Sequence, residues 1–161
     1  MRVACCTLGA TVLAVVVVGC GGGSSTHVPR SAASEWAANA AGVIDQLRAD
    51  TVAASDGDSI SSARAALLDE SRLYGLLVAY NDFGGCRHMV GAVGYPPPGF
   101  RAVDATLARA CANLQRAAAL FTRAASKSDP PALVAASRAV DAATPLLERA
   151  ALELRSASRR G

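Results

Sequence analysis

The residues of this chain with the most distinctive chemistry are its five cysteines. A thiol can be oxidised to a disulfide, alkylated, or deprotonated to bind a soft metal ion. The five fall into an N-terminal group and a distant pair, namely Cys5, Cys6 and Cys20, then Cys86 and Cys111. The sequence around each group indicates which of these reactions it can undergo.

The segment before Cys20 has the features of an export signal. Met1-Arg2 places a positive charge at the start, and an apolar run covers residues 8–18. A helix needs about 20 apolar residues to span a bilayer, and this run is much shorter. It is therefore typical of the hydrophobic region of a signal peptide.

The residues Val17-Val18-Gly19-Cys20 resemble the lipobox of bacterial lipoproteins, in which aliphatic and small residues precede a cysteine. The resemblance covers residues 1–20 only. It implies that residues 1–19 are a signal peptide, that a dedicated peptidase cuts before Cys20, and that this thiol carries diacylglycerol. Two acyl chains attach a protein stably to a membrane, so we expect the chain at the extracytoplasmic face of the cell membrane. The alternative is an ordinary secretory signal with a cysteine there by chance.

A flexible tether is expected between the lipid and the folded domain. Residues 21–26 read Gly-Gly-Gly-Ser-Ser-Thr, and His27-Val28-Pro29-Arg30 follows. Such a composition cannot pack a core and behaves as a linker. We assign residues 20–33 to the lipidated cysteine and this tether.

Cys86 and Cys111 remain once the other three cysteines are assigned, because Cys5 and Cys6 lie in the segment expected to be removed. An even pair of cysteines in an exported protein is expected to form a disulfide. The alternative is two free thiols that bind a metal ion.

Composition favours helices. The sequence contains 36 alanines and 4% aromatic residues, which is typical of an alanine-rich helical protein. Its formal net charge is +3, with the charges interspersed. We therefore do not expect a nucleic acid partner, since the chain has no basic run interleaved with aromatic residues.

Apolar residues recur at helical spacing in four segments, at about 34–54, 59–81, 100–125 and 129–154. Ser34 is the expected N-cap of the first helix. Gly84-Gly85 is expected to end the second helix. In the second helix the predicted core face carries Ile60, Ala63, Leu67, Ser71, Tyr74 and Val78, and it is widened by Leu73, Leu77 and Tyr80. Pro145 lies inside the fourth segment, so a break that restarts at Thr144 is an alternative there.

These segments predict an all-α fold, an up-down four-helix bundle with one long loop between its second and third helices. The bundle domain is expected to cover residues 34–158, with residues 159–161 as a tail. The loop, residues 82–99, is rich in glycine and ends in a triple proline followed by Gly99. Long loops in compact domains are often functional. Its candidate binding residues are Phe83, His88, Met89 and Tyr95; the alternative is that the loop only covers one end of the core.

Several classes of enzyme are not expected. A mature chain would have two histidines, His27 in the tether and His88 in the loop, which is too few to argue for a Ser-His-Asp triad or a His-rich metal site. Acid-base catalysis by Asp82 or Asp104 is the enzymatic alternative. We expect neither a cofactor nor a bound metal ion. The sequence favours a lipid-anchored, non-catalytic interaction or envelope-structural module whose partners are the membrane and either another envelope protein or a small ligand. The alternative is a carrier of a small ligand or metal that uses the bundle interior or the 82–99 loop.

Overall fold

The protein is all-helical over residues 31–57 and 70–160, the parts of the chain that its structure, a computed structural model, describes. Helix α1 is Ala32–Gly57, α2 is Glu70–Ala92, α3 is Arg101–Lys127 and α4 is Pro130–Ser158. A 3-10 turn, Pro98–Phe100, precedes α3. The all-α prediction is confirmed. The expected signal peptide, Cys20 and most of the tether lie outside the described residues.

Helix α1 begins earlier than its pattern of apolar residues indicates. The backbone N–H of Ser34 donates to Ser31 Oγ at 3.2 Å, and the N–H of Glu35 donates to the Ser31 carbonyl at 3.0 Å. Ser31 therefore satisfies the N–H groups at the start of the helix, which is the role of an N-cap. The prediction of Ser34 as the cap was wrong, because Ala32 and Ala33 are good helix formers that extend the helix toward its N-terminus.

Helix α2 continues through the region where a long loop was expected. It runs past Gly84-Gly85 to Ala92, and the chain leaves the helix at Gly94, whose φ is +89°. Glycine inside a helix costs about 1 kcal/mol relative to alanine. Burial of Phe83 and Cys86 on either side of the glycine pair offsets this cost. The connection to the 3-10 turn is therefore only residues 93–97, and the prediction of an 82–99 loop was wrong.

The buried face of α2 also differs from the expected one. Tyr74 is 71% exposed, Leu77 is 51% exposed, and Val78 is exposed as well. The face that packs into the core carries Leu76, Ala79, Tyr80, Phe83 and Cys86, and of these only Tyr80 belonged to the expected face. Phe83 follows Ala79 and Tyr80 by four and three residues, and Cys86 follows Phe83 by three. Once both belong to the helix, this spacing defines a core stripe rotated away from Tyr74.

Helices α3 and α4 follow their predicted patterns closely. The buried residues of α3 recur at helical spacing and include Val103, Leu107, Cys111 and Leu114. Helix α4 begins at Pro130 with Asp129 as N-cap, and the Asp129 side chain accepts the Ala132 N–H at 3.2 Å.

Pro145 does not break α4, although a break was an alternative there. The helix runs from Pro130 to Ser158 without interruption. Pro145 faces solvent while Ala143 and Leu147 beside it are fully buried. Packing of the opposite face therefore holds the helix together where one backbone hydrogen bond is missing.

The four described helices surround one core. Helix α1 packs against α2 and α4, α2 against α3, and α3 most extensively against α4. Within residues 31–57 and 70–160, twelve of the 27 buried apolar residues are alanine, and side chains this small let helix axes approach closely. None of the described helices is both long enough and apolar enough to cross a bilayer.

Candidate functional site

The residues predicted to form a binding loop do not share one surface. Phe83 is fully buried in the core, Met89 is half-buried on α2, and His88 is exposed on the same helix. Tyr95 alone lies in the short connection, and it is 86% exposed. Phe83 thus belongs to the hydrophobic core, and the prediction of a common loop for these four residues was wrong.

Cys86 and Cys111 form a disulfide, as predicted. The bond joins α2 to α3 across a Cα–Cα distance of 5.4 Å, and both residues are fully buried. Because both sulfurs are used in this bond, the alternative of two metal-binding thiols does not hold. Within residues 31–57 and 70–160, no group of three or more His, Cys, Asp or Glu side chains is placed to hold a metal ion.

An open groove of about 770 Å³ lies beside the disulfide, where the end of α2 meets the start of α3. Its charged and aromatic lining residues are Arg87, Tyr95, Arg101 and Asp104, and its floor includes Val90, Gly91, Ala108 and Cys111. Two guanidinium groups and one carboxylate favour an anionic group with hydrogen-bond acceptors. Sequence reasoning missed both arginines, because only the helical extension of α2 brings Arg87 alongside Arg101.

A second exposed surface lies on α2. Leu77 and Val78 follow Tyr74 by three and four residues, so the three side chains lie on one face of the helix. We call these three residues the outward stripe. Single exposed apolar residues are ordinary, but several on one helix face indicate a surface that another molecule can cover.

The contact between α1 and α2 holds a buried carboxyl group. Asp50 is 6% exposed, and Gln46 Nε2 donates to its two oxygens at 3.1 and 3.3 Å. The same amide lies 3.4 Å from Asp82 Oδ2 on α2. Burial raises the pKa of Asp50 to about 6, against the effect of the Gln46 hydrogen bond and with a further contribution from the neighbouring Asp82.

The contact between α3 and α4 holds a carboxylate with cationic partners. Glu153 accepts a hydrogen bond from Thr106 Oγ1 at 2.8 Å and another from Arg149 Nε at 2.7 Å, while Arg109 Nη2 donates to Thr106 Oγ1 at 3.2 Å. Burial alone would raise the pKa of Glu153. The hydrogen bonds from Arg149 and Thr106, with the charges of Arg149 and Arg109, outweigh burial and lower that pKa below its usual value.

The carboxyl groups of Asp50 and Glu153 both have hydrogen-bond partners within the helix contacts that hold them. In the described part of the chain, no buried side-chain nitrogen or oxygen lacks a hydrogen-bond partner. Asp82, one of the two residues considered for acid-base catalysis, lies beside Asp50 in the helix contact, whereas the other, Asp104, lines the groove.

Comparison of the chain with protein-family models, with curated proteins and with solved structures found no match. The disulfide, the groove and the outward stripe are the features of the described residues that bear on function.

Proposed function

We propose that this chain is the precursor of a lipoprotein that is cut before Cys20 and attached by lipid on that cysteine to the extracytoplasmic face of the cell membrane. Its helical domain acts as a non-catalytic interaction or envelope-structural module. Residues 1–19 are the signal peptide in this proposal. The membrane is one partner, and another envelope protein is the second.

The observation that carries the anchoring proposal is the pairing of Cys86 with Cys111. A buried disulfide is typical of proteins that leave the reducing cytosol. With these two thiols joined and Cys5 and Cys6 in the expected signal peptide, Cys20 is the one remaining thiol of the mature chain. A single free cysteine directly after Val17-Val18-Gly19 is what lipid attachment requires.

The position of α1 supports the tether. Because α1 begins at Ala32, residues 21–31 separate it from Cys20. Eleven residues span at most about 40 Å when fully extended, which is enough for the bundle to lie on the membrane or to stand away from it.

We further propose that the four helices alternate in direction, as in an up-down bundle. Between neighbouring helices, the residue number in each contacting pair rises along one helix as it falls along the other, which is the pattern of antiparallel helices. The supporting pairs are Trp36 with Gly94 and Gln46 with Asp82 for α1 and α2, Tyr80 with Phe121 and Cys86 with Cys111 for α2 and α3, and Thr106 with Glu153 and Asn113 with Ala142 for α3 and α4.

The outward stripe supports an interaction role for the domain. Tyr74 and Leu77 expose most of their apolar side chains to solvent. An apolar helix face with an aromatic residue is the kind of surface that protein partners bury.

The anchoring proposal is tested by changing Cys20 to Ala in the full chain and fractionating the cells. We expect the wild-type protein in the membrane fraction, with a mature N-terminus at residue 20 and the mass of a diacylglycerol adduct. The Cys20→Ala protein should lose the adduct and remain an uncut precursor.

The matched control is Cys6→Ala, which removes a cysteine from the segment that the proposal assigns to the signal peptide. It should leave processing, mass and fractionation unchanged. A Cys20→Ala protein with the same mature mass and membrane fraction as wild type would contradict the proposal.

A small-ligand carrier is the second candidate, and the groove is the observation that favours it. Its volume of about 770 Å³ lies within the range of ligand sites. Native mass spectrometry of protein purified from its own cells tests this role. A bound small molecule that is lost in Arg101→Gln would support a carrier, whereas a wild-type protein that shows only its unliganded mass would argue against it.

A further inference from the structure

One end of the bundle gathers the start of α1, the 93–97 connection and the last turns of α4, and we call it the tether end. Trp36 Nε1 donates to the Gly94 carbonyl at 3.1 Å, and its ring lies 5.2 Å from that of Phe100. On the other side of α1, Ala37 borders a shallow cleft with Arg159 of α4. The chain that leads back to Cys20 joins the bundle at this end.

The tether end is rich in unpaired arginine. The exposed arginines are Arg87 and Arg101 in the groove and Arg155, Arg159 and Arg160 on the last turns of α4. Among the described residues, none of the five has an ion-pair partner. The acidic side chains near this end are Glu35 and Asp104, together with Glu153, which Arg149 already engages. The end therefore presents net positive charge.

Helix electrostatics explain only part of this arrangement. Cations are favoured at a helix C-terminus, which accounts for Arg155 and Arg159 at the end of α4. Arg101, however, is the first residue of α3, where the helix dipole disfavours a cation. Helix electrostatics therefore do not account for the position of Arg101.

Tyr95 adds an aromatic residue to the same surface. It is 86% exposed at the turn after α2, and three prolines follow it. Tyrosine combines an apolar ring with a polar hydroxyl and is enriched where proteins meet the membrane–water interface.

We infer that the tether end docks on an anionic lipid surface, with Arg101, Arg159 and Arg160 facing the headgroups and Tyr95 at the interface. This inference rests on the proposed lipid anchor, because the anchor keeps this end beside a membrane. Each arginine near an anionic leaflet strengthens binding about fivefold, and this effect weakens as salt rises. Docking would orient the bundle with the other end of its helices away from the bilayer.

The test uses residues 20–161 with Cys20→Ser, which keeps every described residue but removes the lipid. Binding is measured by cosedimentation with vesicles of phosphatidylcholine alone and of phosphatidylcholine mixed with phosphatidylglycerol. The test variant is Arg101→Gln/Arg159→Gln. The matched control is Arg116→Gln/Arg138→Gln, which removes the same charge from exposed positions on α3 and α4 that are farther from the tether end.

We expect binding to the anionic vesicles only, weaker at high salt, with roughly a 25-fold loss for the test variant and a much smaller loss for the control. Equal losses in the two variants, or equal binding to both vesicle types, would overturn the inference. Circular dichroism and Trp36 emission check that each variant is folded. If the test variant unfolds, Arg159→Gln/Arg160→Gln replaces it with the same expected loss.

This assay contains no lipidated protein, so its outcome is independent of the Cys20 experiment. Lipidated Cys20 without selective vesicle binding would leave the anchor in place and reject the docking surface. Selective binding without lipidation of Cys20 would reject the anchor alone.

Discussion

The α1–α2 contact and the α3–α4 contact each enclose a carboxyl group, but the two groups have different partners. Asp50, between α1 and α2, is paired with the neutral amide of Gln46 and lies near a second carboxylate, Asp82. Glu153, between α3 and α4, is paired with Arg149 and with the Thr106 hydroxyl. The pKa of Asp50 is raised and that of Glu153 is lowered.

Burial and partners together explain this difference, because Asp50 is 6% exposed beside a neutral amide, whereas the Glu153 side chain is 22% exposed beside a guanidinium group. Burial disfavours the charged form of both groups. A guanidinium group and two hydrogen bonds outweigh burial at Glu153, whereas one amide does not outweigh burial and a neighbouring negative charge at Asp50. At neutral pH the charge on the Asp50 carboxylate therefore weakens the α1–α2 contact, whereas the charge on the Glu153 carboxylate stabilises the α3–α4 contact.

The largest expected effect comes from removing the covalent link between these two helix pairs. Replacing both Cys86 and Cys111 by Ala opens a closed loop of 25 residues in the unfolded chain. The chain-entropy estimate for such a loop is about 3.5 kcal/mol. We expect the free energy of unfolding, measured by urea denaturation, to fall by that amount.

The same variant also tests whether the two carboxyl contacts are independent of the link. The pH dependence of stability due to Asp50 and Glu153 should persist, because neither group contacts the disulfide. A loss of less than about 1 kcal/mol would show that the disulfide contributes little to stability.

The next largest effect is a gain of stability in Asp50→Asn. The folded-state pKa of Asp50, about 6, lies above its usual value of 3.8. The contribution of this group to stability is therefore fully present below pH 3.8 and is lost as the pH rises through about 6. Asparagine removes the buried charge, so we expect the variant to be more stable than wild type by roughly 2–3 kcal/mol at pH 8.

Urea denaturation between pH 4 and pH 8 measures this effect, and wild type should lose stability relative to Asp50→Asn across that interval. Asp45→Asn is the control, because Asp45 is an exposed carboxylate on the same helix. A pH-independent difference between wild type and Asp50→Asn would show that Asp50 has an ordinary pKa in the fold.

The sequence predicted the α3–α4 half of the bundle better than the α1–α2 half, for a physical reason. Helix α3 has apolar residues at regular spacing, and α4 begins with Asp129 and two prolines, so local signals and tertiary packing agree there. In α2, Gly84-Gly85 signals a helix end that packing overrides. Without the helical stretch 82–92, the core face of α2 was assigned to a set that held the buried Tyr80 but also the exposed Tyr74, Leu77 and Val78.

In the candidate site, too, the sequence predicted local features but not those that form where two helices meet. The pairing of Cys86 with Cys111 followed from counting cysteines, which needs no knowledge of the fold. The groove between Arg87 and Arg101 depends on two helices meeting, and no spacing along one segment reveals that. Asp50 was also missed, since an aspartate in a helix is ordinarily solvated and its burial depends on how closely α2 approaches α1.

A smaller loss is expected when the favourable carboxylate is removed. Glu153→Ala leaves the Thr106 hydroxyl, which is almost fully buried, without its acceptor. An unsatisfied buried polar group costs about 1–3 kcal/mol, so we expect the free energy of unfolding at pH 7 to fall by about 2 kcal/mol. Urea denaturation measures it, with Glu148→Ala as the control, because Glu148 is exposed on the same helix.

The pH dependence should have the opposite sign to that of Asp50. Since the pKa of Glu153 is lowered in the fold, its stabilising contribution is present above the usual glutamate pKa and is lost as the pH falls through the lowered value. The gap between wild type and Glu153→Ala should therefore narrow in acid. A gap that widens in acid would contradict the arginine-paired description of this site.

The smallest expected effects compare two ion pairs that lie within single helices. Arg48 and Asp45 on α1 are 3.9 Å apart and largely exposed, while Arg149 and Glu153 on α4 are 2.7 Å apart with Glu153 partly buried. Exposed pairs contribute little because water screens them and both side chains lose freedom. We expect Arg48→Ala to change the free energy of unfolding by less than about 0.5 kcal/mol.

Arg149→Ala should lower the free energy of unfolding by about 1 kcal/mol or more, because it removes a charge-assisted hydrogen bond from a carboxylate in a helix contact. Both are measured by urea denaturation at pH 7 and again in high salt, where the Arg48 effect should vanish and most of the Arg149 effect should remain. Equal effects of the two substitutions would mean that Arg149 does not act through the α3–α4 contact, and the contrast drawn between the two carboxyl groups would then rest on Thr106 alone.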